Sequence, residues 1–282
     1  MTKRVISVFL CVLCVISSIS FIVSAKENKE YTSDNFLSVA DGIIAWKKAD
    51  NGSEPDGYLI NDKYLENAGT TPGDWYPIAL GRLGIQDNNE GYLAVIKDRV
   101  EERYRESGRL SAAKATEWHR IALAVLAMGG DPTNFGTDEN GAPINLIADG
   151  TYDRGKTTPL GRQGINGWIW GLITLDSMRY AVPDGAYNTR DDIIVEIISK
   201  QLSDGGFALS SDDADPDITA MAITALAPYY NSEKIYSYHR KALSADESKT
   251  VHEVVDEAVL CLSRLQLDTG DYKSWGTQNV ES

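Results

Sequence analysis

A cluster of carboxylates precedes an apolar helical segment near residue 217, where the chain reads Asp213-Ala-Asp215-Pro-Asp217-Ile-Thr219-Ala-Met-Ala. Side-chain oxygens at the start of a helix accept backbone N–H groups, so capping alone explains such aspartates. A carboxyl group that its surroundings keep protonated can instead act as a general acid, with a second carboxyl group such as Asp215 assisting. Helix cap, proton donor and ligand contact are therefore three competing roles for Asp217.

The same arrangement, a polar residue followed by an apolar anchor and a helical stripe, recurs upstream. The four blocks begin at positions 74, 117, 167 and 217, which are 43 to 50 residues apart (74 to 117, 117 to 167, 167 to 217). Apolar or small residues return three and four positions after each anchor, which is typical of a helix with one buried stripe. The predicted stripes are Trp75, Ile78 and Ala79; Trp118, Ile121 and Ala122; Trp168, Gly171 and Leu172; and Ile218, Met221 and Ala222.

Four further amphipathic segments, richer in Ile, Val and charged residues, alternate with these blocks at 34–47, 92–105, 190–202 and 251–265. Repeated helix pairs of this length indicate stacked helical hairpins, with the blocks as inner helices and the further segments as outer helices. The many Gly and Ala residues of the inner helices allow close packing around a central axis. The sequence therefore predicts an all-α fold, a partial or closed α/α toroid of the α6/α6 type, although an ordinary helical bundle shows similar stripes.

The first 25 residues have the layout of a secretory signal. Lys3-Arg4 precede an apolar run over 5–23, and Val23-Ser24-Ala25 forms a small-residue cleavage site. We expect residues 1–25 to be removed and 26–282 to form one exported toroid domain, secreted or at the cell surface. The alternative is an uncleaved anchor, since an apolar run of about 18 residues is long enough to span a bilayer.

Charge and cysteine content narrow the expected partners. The chain carries 27 basic and 41 acidic residues, a net charge of −14, and loss of Lys3 and Arg4 with the signal changes this to 25 − 41 = −16. So acidic a domain disfavours nucleic acid and anionic membrane as partners. Only Cys261 remains after cleavage, which excludes an internal disulfide, and its position on a helical apolar face predicts a buried core thiol.

The C-terminal segment 265–282 parallels the segment that begins at Lys200, and Glu281 corresponds to Asp217 in that register. The inner helix that should follow Glu281 is missing from the sequence. We therefore expect that the chain is a fragment of a longer protein, or that a partner covers its last outer helix.

Three motifs together resemble the terpenoid cyclase and protein prenyltransferase α/α-toroid family, and specifically bacterial exported proteins with prenyltransferase/squalene oxidase repeats. They are Gln201-Leu-Ser-Asp-Gly-Gly-Phe207, Asp215-Pro-Asp217-Ile-Thr-Ala-Met-Ala and Arg162-Gln-Gly-Ile-Asn166-Gly167. The resemblance extends over nearly all of the chain after the signal and is weakest in its first third. Cobalamin carriers share the toroid, so the resemblance implies a fold and leaves the activity open.

The resemblance implies different chemistry for each branch of the family. In the cyclase branch Asp217 matches the acid that protonates the substrate, but Ile218 replaces the adjoining aspartate, which disfavours cyclisation. The prenyltransferase branch binds zinc through Asp, Cys and His, and here Cys261 and the three histidines lack ligand spacing, so no metal site is predicted. The cobalamin carriers imply a corrinoid as the bound ligand, with no other cofactor indicated.

Aromatic and polar side chains at the inner-helix starts are the candidate ligand contacts. Trp75, Trp118 and Trp168 align and are expected to pack as core, whereas Tyr76, His119 and Trp170 are offset and are expected to line a cavity. The acidic turns 87–91 and 137–141 lack a calcium-loop pattern and are interpreted as solvated turns. The full set of expected ligand contacts is Asp74, Tyr76, Glu117, His119, Asn166, Trp170, Asp217 and Thr219.

The sequence thus predicts an exported binding domain that holds a bulky, mostly apolar ligand or a cell-surface protein at the mouth formed by the inner-helix starts. A corrinoid is the first expectation for the ligand. One alternative is a terpene-cyclase-like isomerase, with Asp217 as general acid and Asp215 as its catalytic partner. Another is an extracellular scaffold or adhesion module whose repeats only present a surface.

Overall fold

The computed structural model describes residues 33–154, 159–274 and 276–279. The predicted signal and Glu281 lie outside these residues. The chain divides into two compact units, one up to Pro55 and one from Asp56 onward. In the first unit the described chain forms one helix, α1 (Ser33–Asn51), and all the elements that follow belong to the second unit.

Helices dominate the second unit, and about 53% of the described residues are helical, which confirms a mostly α fold. Four short strands form two antiparallel hairpins among the described residues. The elements are α2 (Asp62–Leu65), α3 (Thr71–Leu83), α4 (Asn89–Ser107), α5 (Thr116–Ala127), α6 (Leu146–Gly150), α7 (Ile165–Asp176), α8 (Arg190–Ile198), α9 (Pro216–Leu226), β1 (Ile235–Arg240), β2 (Ala245–Thr250), α10 (Val251–Leu265), β3 (Tyr272–Ser274) and β4 (Thr277–Asn279), with short 3₁₀ turns at Leu160–Gln163, Ala227–Tyr229 and Lys241–Leu243.

The four predicted inner helices pack against one another in chain order: α3 on α5, α5 on α7, and α7 on α9. The outer helices α8 and α10 pack on α7 and α9. Glycine permits the closest of these contacts. A Cβ on Gly81 of α3 would lie 2.0 Å from the carbonyl oxygen of Ala127, so no side chain fits where α3 meets α5.

The predicted stripes are mostly buried in the later helices and wrong in α3, although Trp168, which was expected to pack as core, and Met221 are only half-buried. Ile121 and Ala122 of α5 and Ile218 and Ala222 of α9 are buried, whereas Trp75 is 43% exposed. Helix α3 begins at Thr71, one turn before the predicted start, and its buried positions fall on a different face. These are Gly73, Asp74, Pro77 and Leu80.

The two prolines of α3 explain that error. Pro72 occupies the first turn, where a missing N–H costs no helical hydrogen bond. Pro77, which would fall in the first turn of a helix starting at Asp74, therefore lies inside the helix, where it removes the N–H that would bind the carbonyl of Gly73. Pro72 was the correct signal in the sequence for the start of α3. The pair Asp74-Trp75 was interpreted as the start instead.

The hairpin β1–β2 was not predicted. Its strands pair antiparallel, with Tyr238 opposite Glu247, and it packs on α8 and α10. The side chains of β1 alternate between exposed and buried, as a strand with one covered face requires. Arg240 is 3% exposed, donates to the carbonyl oxygens of Gln201 and Leu202, and thereby ties the hairpin to the end of α8.

Two turns of the chain share the same hydrogen bonds, as their sequence likeness predicted. The Nε2 atom of Gln201 donates to Gly205 O at 2.8 Å, and that of Gln266 donates to Gly270 O at 2.9 Å. The N–H of Leu202 and that of Leu267 each close the turn on the residue four positions later, both at 2.8 Å. Gln201 makes a second bond, to Val254 O of α10, at 2.9 Å.

Helix α10 buries the one cysteine of the described chain. Cys261 is 2% exposed, which confirms the predicted core thiol, and burial raises the pKa of its thiol. Among the described residues no helix combines the length and the apolarity that crossing a membrane requires.

Candidate functional site

The starts of α3, α5 and α7 surround a pocket of about 200 Å³, which we call the mouth pocket. Each helix contributes its first or second turn, and the turns that precede α5 and α7 add Lys114 and Gln163. The complete lining is Thr71, Trp75, Lys114, Thr116, Glu117, Arg120, Gln163, Asn166 and Trp170. Three of the predicted ligand contacts, Glu117, Asn166 and Trp170, therefore lie together.

Asp74 lies beneath this pocket instead of lining it. Its side chain is fully buried and accepts three hydrogen bonds: from Tyr92 Oη at 2.7 Å, from Gly69 N at 2.7 Å, and from Arg120 Nε at 2.8 Å. The N-cap of α3 is Thr70, so the capping interpretation of Asp74 is wrong. Buried charges require a partner and full hydrogen bonding, which Asp74 has, so its role is to fix Arg120.

Arg120 connects Asp74 to the pocket wall and is only 7% exposed. Its Nη1 and Nη2 atoms donate to the two carboxylate oxygens of Glu117 at 2.8 and 3.0 Å, and its other donors reach Thr71 Oγ1 and Gly69 O. With the bond to Asp74, all five guanidinium N–H donors are occupied. Arg120 therefore holds Glu117 in one orientation and has no donor left for a ligand.

Glu117 faces the pocket as an ionised carboxylate. Burial alone would raise the pKa of Glu117, but the hydrogen bonds and positive charge of Arg120, with a further contribution from Arg103 at 3.3 Å, outweigh burial and lower it. A carboxylate accepts about four hydrogen bonds, and these two arginines supply three. One acceptor position of Glu117 thus stays open.

Two amides line the pocket beside this carboxylate. The Oδ1 atom of Asn166 is buried and accepts no hydrogen bond from the described residues. The Oε1 atom of Gln163 accepts from the backbone N and the Oγ1 of Thr116, at 3.3 and 3.2 Å, which fixes the start of α5 against the turn before α7. The amide N–H₂ of Gln163 donates to no described residue.

Trp75 and Trp170 form an aromatic wall across the mouth pocket. Their ring centroids lie 5.6 Å apart and their planes meet at 55°. Trp170 was expected to line a cavity, and Trp75 was expected to pack as core, so the structure corrects the role of Trp75. Tyr76, the next residue along α3, is half-buried and is not part of the lining.

His119 was expected to line a cavity, but it lines neither the mouth pocket nor the pocket at the start of α9 that is described next. It is 1% exposed between α5 and α6, and its Nε2 atom lies 2.7 Å from Gly150 O. A carbonyl only accepts, so Nε2 carries the proton in this contact. Burial lowers the pKa of His119 to about 4, which keeps the ring neutral at physiological pH.

A second pocket, of about 480 Å³, surrounds the start of α9, and we call it the aspartate pocket. Apolar side chains, three aspartates and part of the β3–β4 hairpin enclose it. The lining is Ala208, Leu209, Ser210, Ser211, Asp213, Ala214, Asp215, Pro216, Asp217, Ile218, Met221, Lys273 and Gly276. The two pockets lie near each other. Gly164, at the start of α7, adjoins Gln163 of the mouth pocket, and Leu209 lines the aspartate pocket. A Cβ on Gly164 would be 3.8 Å from the carbonyl oxygen of Leu209.

The three predicted groups of α9 have different roles. Asp215 is the N-cap: it accepts from Ile218 N at 3.0 Å and from Ser274 Oγ at 3.1 Å. Asp217, which was the proposed cap, is half-buried in the first turn and pairs with no other described residue. Thr219 is fully buried, and its Oγ1 accepts from the N–H of Phe207 and donates to its carbonyl, so it holds the preceding turn instead of lining a pocket.

The described residues of the aspartate pocket do not supply the aromatic walls that stabilise a carbocation during alkene protonation. No aromatic side chain appears in its described lining. Asp215, the expected catalytic partner, is committed to capping α9. Asp217 is therefore suited to contact a ligand and poorly placed to act as a strong general acid.

No group of three metal-ligating side chains occurs among the described residues. In the acidic turn 87–91, Asp87 accepts the backbone N–H groups of Leu59 and Ile60, both at 2.9 Å, and thus fixes a neighbouring loop. Comparison of the chain with family models, with curated proteins and with solved structures finds no match.

Sequence reasoning missed Arg120, Lys114 and Gln163, and it assigned Trp75 to the core. The spacing of Glu117 and Arg120, three apart on a helix, was a readable signal for an ion pair. It gave no indication that Asp74, 46 positions away, would complete the network.

Proposed function

We propose that the second unit is an exported α/α-toroid binding domain, which holds its ligand at the mouth formed by the starts of the inner helices. The observation that carries this proposal is the position of the two pockets. The starts of α3, α5 and α7 line one, and the start of α9 lines the other. A shared mouth for consecutive inner helices is what a toroid of helical hairpins provides.

The chemistry of both pockets favours binding over catalysis. Glu117 is held ionised by Arg120, so it does not donate a proton near neutral pH. Asp215, the carboxyl group expected to assist Asp217, caps α9 instead, and the described lining around Asp217 contains no aromatic side chain. Groups that orient a ligand are present, and an activated acid or nucleophile is missing from the described lining.

The family resemblance suggests a corrinoid as the ligand. Neither pocket alone, at about 200 and 480 Å³, encloses so large a molecule, so a corrinoid would have to lie across both. Trp75 and Trp170 would contact one end, and Leu209 and Met221 the other. The scaffold alternative predicts no ligand in either pocket.

Titration of the purified protein with cobalamin tests this proposal through the visible absorption of the corrin ring. We expect a saturable spectral shift at micromolar protein, weakened about tenfold or more in Trp170→Ala, which is about 1.4 kcal/mol. Tyr187→Ala is the matched control, because Tyr187 is 66% exposed and lines neither pocket. An unchanged spectrum would remove the corrinoid.

The cyclase alternative has its own test. Incubation with squalene-like polyenes should leave the substrate unchanged if the domain only binds. Cyclic products that disappear in Asp217→Asn would replace the binding proposal with catalysis by Asp217.

A further inference from the structure

We propose that the mouth pocket binds one neutral sugar ring. The proposal rests on the binding function above and names the chemical class of the group held between α3, α5 and α7. The sugar can be free or the end of a surface glycan, and both sources present the same ring. Four features of the lining lead to this choice.

The aromatic wall is the first feature. A pyranose has one face of axial C–H groups, which packs on an indole ring, and hydroxyl groups around its edge. Trp75 and Trp170 present two tilted indole faces at 5.6 Å, one from α3 and one from α7. Trp75 is 43% exposed, a large unburied area for a tryptophan that a stacked ring would cover.

The second feature is the set of uncommitted hydrogen-bonding groups opposite that wall. Asn166 Oδ1 is buried and accepts nothing from the described chain, which costs free energy unless a ligand or water donates to it. Gln163 offers N–H₂ and Glu117 one free acceptor position. Two acceptors and one amide donor around a small pocket match the edge of a polyhydroxylated ring.

The third feature is that the pocket's charges exclude ions. Lys114 would attract an anion, but the carboxylate of Glu117 in the same lining opposes one, and Arg120 has no free donor for it. Lys114 and the two arginines oppose a cation, even though tryptophan and carboxylate alone would attract it. A neutral ligand meets neither penalty.

The fourth feature is size. The mouth pocket holds about 200 Å³, below the roughly 300–1,000 Å³ that drug-sized ligands occupy. Its apolar lining is confined to the two indoles, so a polycyclic apolar ligand would leave the polar groups unpaired. A single ring with hydroxyl groups fits the small volume and also pairs with the polar groups.

The test follows the indole N–H signals of the full-length protein by ¹⁵N NMR during titration with methyl glycosides of glucose, galactose and N-acetylglucosamine. The chain has six tryptophans, so six signals are resolvable, and those of Trp75 and Trp170 are assigned by substitution. We expect at least one sugar to shift these two signals with saturation and a Kd of about 1–10 mM, as a ligand of this size permits. The corresponding tetrasaccharides form a second arm and bind more tightly if a glycan is the source.

Trp75→Ala and Asn166→Ala should each weaken binding at least fivefold with an unchanged circular dichroism spectrum, and Tyr187→Ala should not. Sodium phosphate and choline are the ionic comparisons. Failure of every sugar to saturate at about 50 mM, equal affinity in Trp75→Ala, or shifts produced only by an ion would overturn the proposal.

The cobalamin titration separates this inference from the proposed function. Cobalamin binding without sugar binding refutes the sugar site and leaves the binding function intact. Sugar binding without cobalamin binding removes the corrinoid and keeps a ligand at the mouth. Absence of both refutes both.

Discussion

At the scale of single residues, position in the hydrogen-bond network decides which polar groups are structural. Asp74, Thr219 and His119 had the residue types and spacing of ligand contacts, and each is buried and hydrogen-bonded inside the protein, although Nδ1 of His119 has no partner among the described residues. Glu117 and Asn166 kept one unsatisfied position each and face a pocket. A displacement of one helical turn or less decides whether such a side chain is enclosed or faces a pocket.

The buried histidine makes stability depend on pH. His119 has a pKa of about 4 in the folded protein and about 6.5 when unfolded, so between these values the unfolded state binds the extra proton. The contribution of His119 to the free energy of unfolding is fully present above pH 6.5. It is lost as the pH falls to 4, by about 3 kcal/mol in total. Urea unfolding at a series of pH values measures this loss.

His119→Gln removes the titrating group and keeps an N–H for Gly150 O, so its stability should fall about 3 kcal/mol less than wild type between pH 6.5 and 4. His239→Gln is the matched control, because His239 is on the surface of the β1–β2 hairpin and its loss should leave the slope unchanged. Parallel curves for wild type and His119→Gln would show that His119 does not control the acid range.

The sequence predicted the chemical types at the site better than their orientations. Glu117, Asn166 and Trp170 line one pocket, because helical periodicity defines which positions share a helix start. His119 was placed there too, and its real position depends on α6, a five-residue helix with no amphipathic pattern to detect. Long-range packing of short elements is not encoded in local spacing.

At the scale of elements, helix starts and turns are set by a few residues with strict requirements. Pro72 determined the start of α3, and Asp215 and Pro216 that of α9, whereas the more prominent Asp74 and Asp217 did not. The hairpin β1–β2 had a signal of period two at Tyr236, Tyr238 and Arg240. It escaped prediction because two short strands are a weak pattern within a helical repeat.

The two equivalent turns allow a matched test of glycine. Gly205 and Gly270 have φ values of +91° and +90°, so alanine is strained at both, by about 1–2 kcal/mol. At Gly205 a Cβ would also lie 2.7 Å from Glu257 O of α10, whereas at Gly270 it meets nothing within 4 Å. Gly205→Ala should therefore destabilise the protein by at least about 1 kcal/mol more than Gly270→Ala.

Urea unfolding of the two variants gives this comparison directly. Equal losses would mean that the Gly205 turn and α10 separate without cost, and that the contact between them contributes little to stability.

At the scale of the whole molecule, the sequence predicted a mostly helical protein, and in the structure the helices predicted as inner pack on one another in chain order. Periodic stripes and regular block spacing were sufficient for that, because each inner helix meets the next one along the chain. Closure of the series into a ring depends on contacts between distant segments, for which sequence periodicity offers no measure.

Net charge gives a prediction for the molecule as a whole. The chain has a charge of −14, so surplus carboxylates repel one another in the folded state at neutral pH. Raising NaCl from about 10 to about 150 mM shortens the screening length from about 30 to about 8 Å. Paired charges lose some attraction, but the buried Asp74–Arg120 pair is little screened, so we expect net stabilisation of about 0.5–1 kcal/mol at pH 7.

The same salt series near pH 4.7, the isoelectric point of the sequence, is the control. Repulsion is balanced there, so salt should leave stability unchanged or lower it as ion pairs weaken. Stabilisation of equal size at both pH values would point to salt acting on apolar burial instead of on the acidic surface. Destabilisation at pH 7 would mean that the ion pairs of the folded state outweigh the repulsion of its surplus carboxylates.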